Sequence, residues 1–256
     1  NGKMPFMEKG CEKLLKKMIF KKRIFGTTKL SVVKQTKYII VCINTPINNK
    51  LNPSLKSFIG FFNDLKKHLK KNHIIIIRSS VYPGVLNKVY KIIKNSCSNL
   101  SYCPERIAQG ESIIELPKIS QIVSGKNKKA ILESGKIFNK ISKKIIYTRI
   151  EEAEFIKLFS NAYRYINFSI SNQFYLMSKK LDIDFFKLRN LMRDNYERNM
   201  SIPKAGFTAG PCLLKDTMQL SSYYNHKFPL FRNAMFINEG LPKFIINELN
   251  KKYNLR

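Results

Sequence analysis

The feature that most limits how this chain can fold is a series of short apolar runs, rich in β-branched residues, separated by longer amphipathic stretches. Three such runs lie in the first half, at Tyr38–Ile43, Ile74–Ile77 and Leu100–Cys103. Further apolar runs at 121–123 and 145–147 flank a predicted helix at about 127–140. Strands that alternate with helices in this way are typical of β-α-β units. The first half therefore predicts an α/β fold, with a Rossmann-like parallel sheet.

The pattern changes near residue 150. From Glu151 to about Lys180 the apolar residues follow a helical period without strong breakers. Further amphipathic helices are expected at about 184–192 and 230–249. This change predicts a domain boundary, with a partial α/β domain over residues 1–149 and a mainly α-helical central domain over residues 150–256.

Composition narrows the class of protein. No run of about 18 apolar residues is present to cross a bilayer, and the first residues lack the apolar stretch of a secretion signal. We therefore expect a cytoplasmic protein with no membrane partner. The five cysteines are odd in number and scattered, without C-x-x-C spacing. This usage predicts reduced thiols and no metal site.

The formal net charge of +30 suggests an anionic partner. The basic residues are spread along the whole chain, without an Arg-rich block, which favours a solvated Lys-rich surface and no nucleic-acid partner. A nucleic-acid binder would instead need its lysines on one face, and its binding would weaken steeply with salt. The charge still predicts a positive field that attracts phosphorylated substrates.

Polar residues follow three successive predicted strands. Thr45, Ser80 and Glu105 each stand in the turn after a strand. Singly, each has an ordinary explanation as a helix entry, a helix cap or a solvated charge. Because the carboxyl ends of parallel strands meet at one edge of a sheet, we expect the three to converge on one site.

The long predicted helix carries a polar face. Lys157, Asn161 and Arg164 stand at i, i+4 and i+7, which places them on one side of the helix. A solvated stripe is the ordinary explanation for such a set. Apolar residues flank this face on both sides, however, so we expect it to line a cleft.

The most informative segment contains two glycines, a proline and a cysteine. Cys212 follows Gly210 and Pro211 at the predicted start of a helix. A cysteine at a helix N-terminus, with Lys215 nearby, has surroundings that favour the reactive thiolate. Asp216 stands four residues on and can share its face. The alternative is an inert, buried cysteine, which is the more common situation for a lone cysteine.

Together these segments resemble the UDP-glucose/GDP-mannose dehydrogenase family. The resemblance rests on six segments, in the order of the family: Asn44–Pro46, Ser79–Gly84, Tyr102–Gly110, Ala153–Arg164, Ala209–Asp216 and Ile237–Pro242. It covers nearly the whole chain. It implies an NAD-dependent enzyme that oxidises the C6 hydroxyl of a UDP-hexose or UDP-N-acetylhexosamine to a carboxylate, for polysaccharide precursors, and whose long helix builds a homodimer.

The resemblance also implies a role for each matched residue. Cys212 is the nucleophile that forms a thiohemiacetal and then a thioester. Lys157 and Asn161 stabilise the oxyanion, and Asp216 orients water. Glu105 and Ser80 position water and take part in proton transfer. The implied NAD contacts are Thr45, Pro46, Ser80, Gln109 and Lys215, and the implied substrate contacts are Glu105, Arg106, Lys157, Asn161, Arg164 and Gly206.

One expected motif is missing from the sequence. No G-x-G-x-x-G occurs anywhere in the chain, so the first β-α-β unit that cradles the pyrophosphate is expected to be absent, as is the family's carboxyl-terminal domain. The chain alone is therefore expected to be inactive. A split-gene or decayed fragment that serves only as a dimerisation or interaction piece is the alternative interpretation.

Overall fold

The structure is a computed structural model that describes residues 2–48, 51–208 and 211–253. The chain divides into two compact units. The first unit consists of residues 1–45 and 54–157, and the second of residues 46–53 and 158–256. Each unit has its own cluster of buried apolar side chains.

The first unit is built on a five-stranded sheet with the strand order β1-β2-β3-β4-β5. The strands are β1 (Tyr38–Val41), β2 (Ile74–Ile77), β3 (Leu100–Tyr102), β4 (Gln121–Gly125) and β5 (Ile145–Tyr147). Strands β1, β2 and β3 run parallel. All four isoleucines of β2 are fully buried, as expected for a parallel strand that is covered on both faces.

Helices cover both faces of this sheet. The helices of the first unit are α1 (Cys11–Phe20), α2 (Lys56–Leu65), α3 (Val85–Ile93), α4 (Ser112–Glu115) and α5 (Lys128–Phe138). Phe58 of α2 and Val89 of α3 pack in one cluster with alternate residues of β2. Phe138 of α5 packs with the other residues of β2. Because successive strand residues point to opposite faces, the two clusters lie on opposite sides of the sheet.

The sheet differs from the predicted parallel arrangement at one pair of strands. β3 and β4 are antiparallel, with Ser101 opposite Gly125, whereas β4 and β5 are again parallel. The connection from β3 to β4 contains only the four-residue helix α4. A parallel pair needs a longer crossover, usually a helix packed on the sheet. Since this connection lacks one, the chain returns in the opposite direction.

Local sequence signals explain most of the helices in the first unit. The helices predicted after the first two strands and at about 127–140 correspond to α2, α3 and α5. Asn127 caps α5, since its side chain accepts a 2.8 Å hydrogen bond from the Ala130 amide. The sequence did not predict α1 or α4. No residue of α1 is buried, and α4 is a single turn, so neither has a strong apolar period.

The second unit is helical, as predicted. Its helices are α6 (Ile150–Lys180), which begins in the first unit, α7 (Phe185–Arg193), α8 (Pro211–Tyr223) and α9 (Pro229–Tyr253). Asp184 caps α7 by accepting hydrogen bonds from the amides of Phe186 and Lys187. Among the described residues, no helix combines the length and the apolar character needed to cross a bilayer.

Candidate active site

The ends of β1, β2 and β3 lie at one edge of the sheet because the three strands are parallel. At this edge the buried hydroxyl of Thr45 donates a 2.5 Å hydrogen bond to the carbonyl oxygen of Ser80. The structure therefore brings these two turns together, as the sequence predicted. Pro46, the next residue along the chain, is exposed.

Glu105 is held at the same edge by Arg78, a residue that the sequence analysis missed. The Arg78 guanidinium forms an ion pair with Glu105. It also donates hydrogen bonds to the carbonyl oxygen of Cys103, at 3.1 Å, and to the side-chain oxygen of Gln121, at 3.3 Å. The guanidinium lies 4.7 Å from the centre of the Phe138 ring. Arg78 therefore fixes the Glu105 carboxylate from several directions.

Burial governs the electrostatics around Arg78. Desolvation lowers the pKa of Arg78 and raises the pKa of the neighbouring Cys103 thiol to about 12. Cys103 is therefore protonated and unreactive at neutral pH. A sequence signal for Arg78 was present, because it directly follows the apolar run of β2. A charge at the end of a buried strand needs a partner.

The segment after β3 is held by contacts to its backbone. The Glu105 carboxylate also accepts hydrogen bonds from the amides of Arg106, at 2.7 Å, and Ile107, at 3.1 Å. The Arg106 guanidinium donates to the carbonyl oxygen of Ser120, at 2.6 Å, and its burial lowers its pKa. Gln109 is exposed. Arg106 is thus tied to a neighbouring turn, while Gln109 faces solvent.

Residues near the start of the chain hold the same segment. The Glu8 carboxylate accepts hydrogen bonds from the Gly110 amide, at 2.8 Å, and from the Ser112 hydroxyl, at 2.6 Å. These bonds, with the one from Gly110 the largest contribution, lower the pKa of Glu8. Lys9 forms an ion pair with Glu111. Gly110 has a φ of 94°, a conformation that favours glycine.

A further carboxylate, Glu154, caps the start of α3. It is buried and accepts hydrogen bonds from the amides of Gly84, at 2.9 Å, and Leu86, at 3.2 Å. Burial is the main cause of its raised pKa. In the sequence Glu154 is one of three acidic residues at the start of the long predicted helix, which gives no sign of this contact. In the structure the Glu154 carboxylate accepts hydrogen bonds from the first amides of a different helix, α3.

Helix α6 separates the three polar residues that the sequence placed on one enclosed face. Lys157 and Asn161 are buried one turn apart, whereas Arg164 is exposed. At about 3.6 residues per turn, Arg164 is rotated about the helix axis by about 20° from Lys157, on the side away from Asn161. Tyr165, fully buried, occupies the inner position instead. The prediction of an enclosed position is wrong for Arg164, and its contact with substrate stays a prediction.

Cys212 lies in the first turn of α8, as predicted, because the helix begins at Pro211. Its side chain is exposed, which excludes the alternative of an inert, buried thiol. Asp216, one turn later, is fully buried. The spacing suggested that Cys212 and Asp216 share one face, but the structure gives them different surroundings. In the first turn of α8 Cys212 is exposed although Leu213 is buried, and in the second turn Asp216 packs inside the unit.

Two side chains hold the buried Asp216 carboxylate. The Asn161 amide donates a 2.6 Å hydrogen bond to Oδ2 of Asp216, and the Lys215 ammonium lies 3.4 Å from Oδ1. Lys215, which was predicted to lie near Cys212, contacts Asp216 in the structure, and its effect on the cysteine stays a prediction. Asn161 and Asp216 therefore form one hydrogen-bonded pair that joins α6 to α8.

Gly206 is held by a residue that the sequence analysis missed. The Gly206 amide donates to Oδ1 of Asn172 at 2.8 Å, and its carbonyl oxygen accepts from Nδ2 at 3.1 Å. Asn172 is fully buried within α6. An amide on the apolar side of a helix requires a partner, which was the available signal.

Comparisons with known proteins agree with this arrangement of an NAD-binding fold followed by a helical region. Residues 1–146 match the model of the UDP-glucose/GDP-mannose dehydrogenase family, NAD binding domain, and residues 151–240 match the model of the family's central domain. The chain belongs to the UDP-glucose/GDP-mannose dehydrogenase family. The resemblance, the fold class and NAD as the family's cofactor are thereby confirmed.

Relatives and solved structures give the same family. The chain is 25% identical to UDP-N-acetyl-D-mannosamine dehydrogenase of Pyrococcus horikoshii, over 100% of this chain and 63% of the relative. It is 27% identical to the Methanococcus aeolicus protein of the same name, over 99% and 58%. The solved structure of UDP-D-ManNAc dehydrogenase from Pyrococcus horikoshii matches with a TM-score of 0.89 and 25% identity, covering 100% of this chain and 63% of that one.

A more distant structure shares the fold. The UDP-glucose dehydrogenase from Pyrobaculum islandicum matches with a TM-score of 0.87 at 17% identity, over 99% of this chain and 62% of that one. The chain therefore spans about three fifths of the length of the relatives that it matches.

Proposed function

We propose that this chain supplies the NAD-binding and cysteine-bearing parts of a nucleotide-sugar 6-dehydrogenase. The proposed reaction is the oxidation of the C6 hydroxyl of a UDP-sugar to a carboxylate, for polysaccharide precursors. The names of two relatives favour a UDP-N-acetylhexosamine over a UDP-hexose. The observation that carries the proposal is the first turn of α8, where Cys212 is exposed one turn before the buried Asp216.

Cys212 is the proposed nucleophile for the second half of this oxidation. The alcohol first loses a hydride and a proton to give an aldehyde, and the thiol adds to the aldehyde carbon to form a thiohemiacetal. Loss of a second hydride and proton gives a thioester. Water then breaks the carbon–sulfur bond, which releases the carboxylate and restores the thiol. NAD, when bound, accepts the hydride in each of the two oxidations.

Three residues besides Cys212 have complementary proposed roles. Negative charge develops on the former carbonyl oxygen whenever sulfur or water adds to the carbon. The Lys157 ammonium and the Asn161 amide are the groups proposed to stabilise it. Asn161 is oriented by its hydrogen bond to Asp216, so removal of Asp216 is expected to disturb Asn161 as well. Asp216 is also proposed to orient the attacking water.

Several other residues are proposed to contact the substrate or move protons. Glu105 and Ser80 are proposed to position water and assist proton transfer, and the ion pair with Arg78 supports an ordered Glu105 carboxylate. The remaining proposed substrate contacts are Arg106, Arg164 and Gly206. Arg164 is exposed. Arg106 donates one hydrogen bond to the Ser120 carbonyl oxygen, and because a guanidinium has five N–H donors this bond does not prevent a substrate contact.

We propose that the strand ends bind part of an NAD molecule. The turns that carry Thr45 and Ser80 meet at the carboxyl edge of the parallel strands, and both residues are proposed to contact the cofactor. Pro46, Gln109 and Lys215 are the other proposed cofactor contacts. The first amides of α3, by contrast, are already occupied by Glu154. The chain also contains no G-x-G-x-x-G turn for the pyrophosphate. We therefore propose that this chain by itself does not reduce NAD.

A homodimer is proposed to form through α6. Large apolar side chains remain exposed along this helix, among them Tyr163, Ile170 and Phe174. Ile170 and Phe174 also line an apolar groove with Leu230 and Ile237 of α9. Measuring the molecular mass in solution tests this proposal. Phe174→Glu should convert the dimer to a monomer, and a monomeric unmodified chain would refute it.

The alternative function is that of a fragment that takes part only in dimerisation. The missing G-x-G-x-x-G turn is the observation that favours it. The two proposals differ in their requirement for Cys212, since a fragment of this kind needs no reactive thiol.

An activity assay separates these proposals. NADH formation should be measured with UDP-glucose, UDP-N-acetylglucosamine and UDP-N-acetylmannosamine, first with this chain alone. The measurement should be repeated with a protein in which the chain is joined to the first β-α-β unit and the carboxyl-terminal domain of the Pyrococcus horikoshii relative. We expect activity only in the joined protein, and only with Cys212 intact. Absence of NADH in the joined protein would favour the fragment, and NADH from the chain alone would refute its predicted inactivity.

A further inference from the structure

The segment of residues 202–206, between α7 and α8, is held by an unusual number of buried side chains. These side chains come from two different helices and bond to the backbone of the segment. A segment without regular structure has backbone amides and carbonyls that need partners. Here the partners are supplied by distant residues, so the path of the segment is fixed by the tertiary structure.

Asn172 of α6 makes the first set of contacts. It accepts the Gly206 amide and donates to the Gly206 carbonyl, at 2.8 and 3.1 Å. The same Nδ2 also donates to Oδ1 of Asn238 in α9, at 2.9 Å. Asn238 in turn donates to the carbonyl oxygen of Tyr165, at 2.9 Å. Asn172 and Asn238 are both buried, so their amides cannot exchange these partners for water.

Arg189 of α7 makes the second set. Its Nε donates to the carbonyl oxygens of Ile202, at 2.9 Å, and Pro203, at 3.0 Å, and its Nη2 donates to Ile202 at 2.6 Å. The Ser171 hydroxyl also donates to the Pro203 carbonyl, at 2.9 Å. Arg189 is only 8% exposed. A charged group held by backbone carbonyls in this way makes stronger bonds than a neutral donor would.

The opposite side of Cys212 is fixed as well. Asp216, one turn into α8, is bonded to Asn161 of α6 at 2.6 Å. Helix α6 therefore holds the chain at Gly206, before the cysteine, and at Asp216, after it. Only a few residues separate Cys212 from either point.

We propose that Asn172 and Arg189 are positioning residues that fix the segment 202–206 and, through it, the first turn of the helix that carries Cys212. This inference rests on the proposed function for its catalytic meaning. Neither residue is needed to touch the substrate or the cofactor.

The test uses the full chain and does not require activity. Hydrogen–deuterium exchange should be measured across residues 202–208 in Asn172→Ala and in Arg189→Met, which keeps the apolar stem of the side chain. We expect the exchange of this segment to accelerate about tenfold, because its hydrogen bonds would open more often. The fold of each variant should be checked by circular dichroism and thermal unfolding.

The effect on the cysteine is measured with iodoacetamide. Cys42 is also exposed and lies in the first unit, so it provides an internal reference in every variant. We expect the ratio of the Cys212 rate to the Cys42 rate to fall at least about threefold in both variants, because the unpaired amides of a helix start stabilise a nearby developing negative charge only while that turn is held in place. Arg189→Lys, which retains a cationic donor, should restore part of the ratio.

Lys187→Met serves as the matched control, since Lys187 is an exposed basic residue on the same helix. It should change neither measurement. Unchanged exchange and an unchanged ratio in folded Asn172→Ala and Arg189→Met would overturn the proposal, and so would an acceleration spread evenly over the chain. If the ratio falls but the joined protein described above makes no NADH, the positioning stands and the proposed reaction fails.

Discussion

Two regions of the molecule are held by different kinds of interaction. One is the strand-end group of the first unit, which contains Arg78 and Glu105. The other is the cysteine segment of the second unit, which we define as residues 202–206 and the first two turns of α8. At the strand ends, one buried cation, Arg78, fixes the Glu105 carboxylate and two further oxygen atoms. In the cysteine segment, neutral amides such as Asn172 and Asn161 carry many of the contacts, bonded to the backbone or to a single carboxylate. One region thus depends on a central charge, and the other on a set of hydrogen bonds distributed among helices.

This difference has consequences for how each region should respond to change. Removal of a largely buried cation takes away the ionic partner of its carboxylate, so the damage is large and concentrated at one point. Loss of one amide side chain from a group of several leaves the other hydrogen bonds in place. The loss of stability should then be smaller, and it should appear as more frequent local opening of the backbone. Four predictions test this contrast, in order of decreasing effect.

The largest effect on activity is expected at Cys212, the proposed nucleophile, whose side chain is exposed in the first turn of α8. Cys212→Ser should lower NADH formation by the joined protein at least about a thousandfold, because serine is a far weaker nucleophile than cysteine near neutral pH. The thermal stability should not change, since the side chain is exposed. Cys42→Ser, at another exposed cysteine, should retain full activity, and an active Cys212→Ser variant would remove the cysteine from the mechanism.

The next effect is expected at Arg78. Arg78→Met should lower the free energy of unfolding of the first unit by about 3 kcal/mol, because it leaves Glu105 without its ionic partner. Urea denaturation followed by circular dichroism measures this loss. A second change, Glu105→Gln in the Arg78→Met background, should recover part of the loss.

Lys88→Met, at an exposed lysine of α3, is the control for Arg78→Met and should be neutral. If Arg78→Met were as neutral as Lys88→Met, the strand-end group would not depend on its central charge. The contrast between the two regions would then disappear.

Asn161→Asp tests the second region by placing another carboxylate beside Asp216. The new carboxylate would face Asp216 across a contact that is now 2.6 Å long. We expect the second unit to lose about 2 kcal/mol of unfolding free energy, because like charges repel and the donor to Asp216 is lost. Asn233→Asp, at an exposed position of α9, should have little effect in the same thermal unfolding experiment. Equal behaviour of the two variants would show that Asn161 does not need to be neutral.

The smallest effect concerns Glu8, a second charged contact of the first unit. Its pKa is lowered from the reference value of 4.5 by hydrogen bonds, chiefly from the Gly110 amide. A carboxyl group with a lowered folded pKa stabilises the fold above its unfolded pKa, and this contribution is lost as the pH falls through the folded value. The protection factor of the Gly110 amide, which corrects for the intrinsic pH dependence of exchange, should therefore fall below about pH 4.5 in the unmodified chain. In Glu8→Gln the exchange should be faster already at neutral pH and should lack this acid-dependent step.

The sequence predicted the elements of the first unit well where apolar periodicity was strong. The isoleucine run of β2 could only become a buried strand, and the turn after it necessarily fell at the edge where the neighbouring parallel strands also end. For this reason Thr45 and Ser80 could be expected to meet. The antiparallel pairing of β3 and β4 was not predictable from strand patterns, because direction depends on how the short connection between them closes.

The polar contacts were less predictable. The sequence showed that Lys157, Asn161 and Arg164 share one side of a helix. It did not show how much of that side is buried, and in the structure Arg164 is exposed. It indicated a helix start at Cys212 through Pro211, and the structure has α8 beginning there. It gave no indication that Asn172 would reach Gly206, because the two residues are 34 positions apart.

The amino-acid sequence was sufficient to indicate the family, the alternation of strands and helices, and the place of Cys212 at the start of a helix, but not its exposure. These follow from local periodicity, turn residues and motifs, each of which involves only neighbouring residues. Tertiary structure alone decided which partner each buried polar group obtains: Arg78 for Glu105, Asn161 for Asp216, and Asn172 for Gly206. The physical reason is that a buried hydrogen-bonding group must be satisfied by whichever donor or acceptor the packing brings within reach, and packing joins residues that are distant in the sequence.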